Sequence, residues 1–199
     1  MTHPELSAVA RFYDARQVGN SGPLGFRRTS ELGKLLTCLT SLVQTELLIP
    51  GQSRFLDLGC GDGRVNVLFS YLTEVSVGVE QDQWTLDEYL PLKRKLGVQL
   101  DDLGLPRPPD NIRLFCGDST SQSVHGAIRE SVGLELADFD LFYAFVAGPD
   151  PLAELVATRG KPGSVYLVFS MNRIFPRYPG LRLVEALSPL GDVLAVYQK

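Results

Sequence analysis

Apolar positions follow two alternating rhythms along this chain. Leu32, Leu35, Leu36, Leu39, Val43 and Leu47 recur at the three- and four-residue intervals of one helix face. Ser30 is a good N-cap for that helix, Glu31 lies in its first turn, and Pro50-Gly51 ends it. Ahead of it, Leu6, Val9, Ala10, Phe12 and Tyr13 outline one or two amphipathic turns, and 19–25, rich in Gly, Ser and Pro, reads as a loop. From residue 54 onward, short apolar runs alternate with helical patterns. Strands are expected over 54–58, 75–80, 111–116, 138–146 and 164–170, with helices over about 64–72, 83–95, 121–132 and 150–158. The stretch 101–110, with Leu-Gly-Leu-Pro-Arg-Pro-Pro, reads as a loop before the third strand. Such alternation predicts an α/β fold with a parallel sheet covered on both faces. After residue 170 the rhythm changes: 171–180 carries Pro176 and Pro179 and is too short for a crossover helix. The segments 181–187 and 192–198, joined by Ser-Pro-Leu-Gly, read as a hairpin. A single domain over 1–199 is expected, with an N-terminal helical segment (1–50) and a core (51–199).

Composition narrows the class. Hydrophobic content of 44% and charged content of 21% are those of a soluble globular chain. Net charge of −4 gives no overall basic field for nucleic acid, so a nucleic-acid partner is disfavoured. Cys38, Cys60 and Cys116 are odd in number and widely spaced, which argues against a disulfide framework or zinc site and for a reducing cytoplasm. No basic-then-apolar leader opens the sequence, and no apolar run approaches the ~18 residues of a membrane span. His3 and His125 are isolated and lack ligand spacing, so neither is assigned to a metal.

The chain is organised around 54–65, Arg-Phe-Leu-Asp-Leu-Gly-Cys-Gly-Asp-Gly-Arg-Val. It reads as an apolar strand, a tight glycine turn and the start of a helix. Gly59, Gly61 and Gly63 let the backbone turn sharply and let a ligand lie against it. A dinucleotide fingerprint, G-x-G-x-x-G, would place glycine where Arg64 stands. The observed Asp-x-Gly-x-Gly-x-Gly resembles motif I of the class I S-adenosylmethionine (SAM)-dependent methyltransferases. The resemblance implies a Rossmann-like, mostly parallel seven-stranded sheet closed by an antiparallel C-terminal hairpin, with 51–199 as the SAM-binding core. A helix missing before that hairpin departs from the commonest version of the plan.

In open α/β sheets ligands bind beyond the carboxyl ends of the strands, where strand order reverses. Glu80, ending the second strand, offers acceptors for both ribose hydroxyls; its ~20-residue separation from the turn also suits NAD. By the resemblance, Asp57 holds the methionine ammonium of SAM, directly or through water, beside Gly59, Cys60 and Gly61. Cys60 contributes its backbone. Asp118 takes the adenine amino group with the Ser119 backbone at the ring edge, and Gln81 lies against the adenine face. A nicotinamide site does not require Asp118, which favours SAM. Trp84, in the next helix, reads as core.

On the fourth strand, Phe145-Val146-Ala147-Gly148 stands where methyltransferases of base or glutamine amides usually carry Asn/Asp-Pro-Pro-Tyr/Phe, so that chemistry is disfavoured. The loop 22–30, Phe145, the Lys161-Pro162-Gly163 turn and the short Phe175-Pro176 link resemble the small seven-strand protein-lysine methyltransferases. Those acting on mitochondrial ATP synthase lysine are nearest, and the non-SET histone lysine enzymes more distant. Arg28 occupies a position where those families usually have proline. Tyr143 and Phe145, which share a strand face, are the implied wall for the acceptor amine, and Thr29 and Arg27 the implied closure over the SAM carboxylate. The expectation is methyl transfer from SAM to a protein lysine. The alternatives are a small-molecule N- or O-methyltransferase, a non-catalytic SAM-binding partner protein and, disfavoured by glycine spacing, an NAD(P) oxidoreductase.

Overall fold

A computed structural model describes residues 3–16, 29–145, 151–170 and 175–199. Among these, seven strands form one sheet in the order β3-β2-β1-β4-β5-β7-β6. They are β1 Arg54–Leu58, β2 Val75–Glu80, β3 Ile112–Cys116, β4 Leu141–Phe145, β5 Val165–Phe169, β6 Arg182–Leu183 and β7 Leu194–Gln198. The first five pair parallel; β7 runs antiparallel to β5 and to β6. Strand order reverses between β1 and β4, so the turn after β1 opens at the switch point.

Side-chain alternation divides the core in two. Phe55, Leu141, Tyr143, Val165, Leu167 and Phe169 point to one face. There they meet the helices α1 Pro4–Asp14, α2 Leu32–Gln44, α3 Arg64–Ser70 and α5 Tyr89–Asp102. Leu56, Leu58, Phe142, Ala144, Tyr166 and Val168 point to the other, under α6 Gln122–Val132 and α7 Pro151–Arg159. No helix follows β5 among the described residues. Phe175, Tyr178 and Leu181 pack there instead, and the Tyr197 hydroxyl donates to the Pro176 carbonyl at 2.9 Å.

Several boundaries differ from expectation, each for a local reason. The helix expected over 83–95 is two: a short α4, Gln83–Leu86, then α5, which runs on to Asp102 into the segment read as a loop. Asp82 closes the first turn of α4, accepting from the Trp84 N–H at 3.2 Å and the Thr85 hydroxyl at 2.6 Å. The fourth strand starts only at Leu141 because 136–138 coils into a single 3-10 turn and Asp140 accepts from the Arg54 N–H at 2.8 Å. The first hairpin strand shrinks to two residues before a 3-10 turn over 185–187.

Ser30 does not cap α2. The cap comes from α1: Asp14 accepts from the N–H groups of Leu32 and Gly33 at 2.8 and 2.7 Å, a carboxylate at a helix N-terminus. Ser30 is buried and its hydroxyl bonds the Tyr143 hydroxyl at 2.5 Å, fixing the start of α2 to the sheet. Replacing Asp14 with alanine should therefore lower stability by about 1 kcal/mol, read as a lower urea midpoint at unchanged m-value. An unchanged midpoint would show that the cap is not worth its geometry.

Candidate functional site

The tips of β1, β2 and β3 lie side by side, and the loops that leave them are stitched together by backbone hydrogen bonds. The N–H groups of Gly59 and Cys60 both donate to the Val79 carbonyl, at 2.9 and 2.8 Å. The Gly61 N–H donates to the Glu80 carboxylate at 2.8 Å, whose other oxygen accepts from the Asp82 N–H at 2.9 Å. One strand further, the Gly117 N–H donates to the Glu80 carbonyl at 2.9 Å. Asp57, Gly59, Cys60, Gly61 and Glu80, singled out from the sequence, are thus brought together.

Two glycines of the turn are required for different reasons. Gly59 has φ +128°, and a Cβ there would meet nothing within 4 Å, so the backbone faces open space. Gly63 has φ +74°, and a Cβ there would lie 2.7 Å from the Tyr89 ring and 2.9 Å from Leu114. The first leaves room for a ligand; the second lets α3 and α5 close-pack.

Asp57 is 1% exposed, and neither carboxylate oxygen has a hydrogen-bond partner among the described residues. Burial, then the negative charges of Glu80 and Asp62, push its carboxyl well above the usual carboxylate range. A buried acceptor beside an open glycine turn can take a donor from a ligand, best a cationic one. Burial, then the negative charges of Asp57, Glu80 and Asp62, push the Cys60 thiol up as well, which disfavours its thiolate.

Asp118 stands in the turn after β3, exposed. One oxygen accepts from the Thr120 N–H and hydroxyl at 2.8 and 2.7 Å, which holds its carboxyl below the usual range. Its other oxygen has no partner among the described residues. The Ser119 carbonyl accepts from His125 Nε2 at 2.8 Å, and the Gln81 side chain is exposed. On β4, Tyr143 is buried, its hydroxyl taken by Ser30, while the Phe145 ring is half-buried and stacked on Phe169 with centroids 5.5 Å apart. Tyr143 therefore reaches the face through its ring and not through a free hydroxyl. Thr29 is half-buried. Arg27, Arg28 and Val146-Ala147-Gly148 lie outside the described residues. Trp84, read from the sequence as core, is 80% exposed, because in the single turn of α4 it is Thr85 that faces inward.

One cluster escapes sequence reasoning. Asp62, inside the turn and 1% exposed, accepts from Arg64 Nε and Nη2 at 2.9 and 2.8 Å and from Arg16 Nη1 at 2.7 Å. Arg16 also reaches Glu88 at 2.8 Å, and the Arg64 guanidinium lies 5.5 Å from the centre of the Tyr13 ring. The cluster welds α1 and the head of α5 to the glycine turn. Asp62 and Arg64 are near neighbours in sequence, but nothing local marks Arg16 as their partner. Among the described residues no group of three or more His, Cys, Asp or Glu side chains could hold a metal ion. No described helix is long and apolar enough to cross a membrane.

No family model and no curated protein matches the chain. Solved structures do. The protein yhhF from Escherichia coli, which carries the name of a methyltransferase, superposes with a TM-score of 0.53 at 13% identity, over 92% of this chain and 90% of its own. An RNA methyltransferase from Salinibacter ruber in complex with S-adenosyl-L-homocysteine gives 0.50 at 16% identity, over 86% and 91%. The fold is that of the class I methyltransferases. A variant of MtNAS in complex with S-adenosylmethionine gives 0.52 at 18% identity over 84% of this chain, which spans 62% of that one.

The state of Asp57 has a consequence for stability. With its folded-state pKa above an unfolded value of about 3.9, the folded state keeps a proton that the unfolded state loses. Stability therefore falls as pH rises between those two values. Asp57→Asn should stabilise the ligand-free protein at pH 8 by on the order of 1–3 kcal/mol, read as a higher urea midpoint, and change it much less near pH 4. An equal effect at both pH values would refute the buried, unpaired carboxylate.

Proposed function

We propose that this chain is a SAM-dependent methyltransferase whose acceptor is a protein lysine amine. The observation that carries the cofactor reading is Asp57: a buried, unpartnered carboxylate beside a glycine turn open to a ligand, at the switch point of a class I methyltransferase sheet. Structures of that fold in complex with S-adenosylmethionine and S-adenosyl-L-homocysteine support it.

The residues present fit such a ligand from end to end. Asp57 would accept from its ammonium. The lone pairs of Glu80 that remain after two backbone N–H groups would accept from its ribose hydroxyls, and the free oxygen of Asp118 from its adenine amino group. The Ser119 backbone and the exposed Gln81 would border the adenine. Bound SAM supplies a methyl group on a sulfonium, already a good leaving group. The protein's own work is then to align a neutral amine with that methyl and to exclude water. Phe145, at the tip of β4, is the proposed wall for the amine, seated on the Tyr143 side of the sheet; an aromatic face also suits the cationic product.

The lysine reading rests on the weaker likenesses of the loop before α2, the Lys161-Pro162-Gly163 turn and the short Phe175-Pro176 link after β5. The Salinibacter ruber neighbour is named for RNA, but this chain's net charge of −4 gives no overall basic field to hold an RNA backbone.

Two measurements test these readings separately. Glu80→Ala should weaken SAM binding by about 1.5–3 kcal/mol, roughly a ten- to hundredfold rise in the calorimetric Kd, and unchanged affinity would count against the cofactor site. Incubating the protein with isotopically labelled SAM and a cell lysate, then searching by mass spectrometry, should find the label on lysine side chains. Label on a nucleic acid or a small molecule would overturn the lysine reading alone; no transfer to any acceptor would overturn methyl transfer.

A further inference from the structure

The helix pair on the far face of the sheet encloses a half-open cleft of about 300 Å³, lined by Gln122, His125, Gly126 and Arg129 of α6 together with Glu135, Leu136 and Arg159. The α6 residues fall at intervals of three, one and three, a single helix face, while Val124 and Ile128 face the sheet. We propose that this cleft binds the phosphate group of a small ligand, with Arg129 and Arg159 as its charged clamp. Its clamp residues lie on α6 and α7, and the proposal does not depend on the cofactor reading.

Charge is the first argument. Two guanidiniums line the cleft against one carboxylate. That carboxylate, Glu135, is already engaged with the backbone of the 3-10 turn that follows it, and stands 3.5 Å from Arg129. Arg159 has no acidic partner among the described residues, in a chain with more acidic than basic groups. Its place in the last turn of α7 complements the helix dipole, but that would not require a second arginine across a cavity. Forked guanidiniums match phosphate oxygens in geometry as well as charge. Exposed Gln122 adds an amide donor at the rim.

The second argument is Gly126. A glycine inside a helix costs stability relative to alanine, and is normally retained because a Cβ would collide with something or because φ is positive. Neither holds here: a Cβ at Gly126 would meet nothing within 4 Å, and its conformation is ordinary helix. The space that a side chain would fill is the cleft itself. Gly126 thus leaves the α6 backbone bare where it lines the cleft, so a ligand can approach it closely. The cleft wall is also rigid: His125 Nε2 donates to the Ser119 carbonyl at 2.8 Å, fixing the ring that forms one side.

The test is a titration of the full chain with inorganic phosphate, against sodium chloride at matched ionic strength, followed by amide chemical shifts. Saturable shifts at Gly126 and Leu136 are expected, with affinity falling at least tenfold in Arg159→Gln and saturation lost in Gly126→Phe, which fills the cleft. Arg159 is exposed, so its variant reports even if Gly126→Phe does not fold. Shifts that never saturate, or that are the same in Arg159→Gln, would overturn the site. A uridine hexanucleotide binding more than tenfold tighter than phosphate, with the same dependence on Arg159, would overturn the small-ligand assignment in favour of a nucleic-acid backbone.

Discussion

Everything at the strand tips depends on how the turn from Gly59 to Gly63 spends its hydrogen-bond donors. Three of its N–H groups are turned inward, two onto the Val79 carbonyl and one onto the Glu80 carboxylate, so the turn is locked to β2 before any ligand arrives. Asp57 beneath it receives none of them. An unpaired buried carboxylate is among the more expensive features a fold can carry, and it persists only where the surrounding structure leaves the chain no alternative. The parallel pairing of β1 with both β2 and β4 is that constraint, since it fixes Asp57 between two strands and away from water.

The N-terminal helices are part of the same construction. Asp14 at the end of α1 caps α2, Arg16 two residues on reaches Asp62 inside the glycine turn, and Ser30 ties the start of α2 to Tyr143 beside Asp57 in the sheet register. Three polar contacts from one short region therefore bear on the turn and on the strand next to it. Breaking one partner of a buried ion cluster leaves the others uncompensated, so the cluster around Asp62 acts as a unit. The described residues of the 1–50 segment, 3–16 and 29–50, are thus tied to the glycine turn and to β4.

The core strands were legible because their apolar runs are bounded by glycine and acidic punctuation, and β1 and β2 begin and end where the pattern places them. The positions of the glycine turn and of the acidic residues at the tips of β1, β2 and β3 were legible for the same reason: those residues lie at strand ends, and strand ends show in sequence. What failed was set by partners distant in the chain. Ser30 looks like an N-cap, but Asp14, sixteen positions earlier, does that work. Trp84 looks like core by composition, yet α4 is only one turn long and leaves it in solvent. Arg16 carries no local sign of its role, because its partners lie 46 and 72 residues away. That Tyr143 shares a strand face with Phe145 and not with Phe142 was readable, but not that Ser30 occupies its hydroxyl.

Proton linkage gives the most direct measurement of the central claim, that the buried, unpartnered Asp57 carboxyl gives up its proton and pairs with a cation of the bound nucleoside. Calorimetric titrations with SAM at a single pH, about pH 6, in buffers of different ionisation enthalpy count the protons exchanged. Because burial and neighbouring carboxylates hold the Asp57 carboxyl above its usual range, pairing it with an ammonium must lower it again. The account predicts that binding releases protons to the buffer. Binding with no proton exchange, or with uptake, would contradict it.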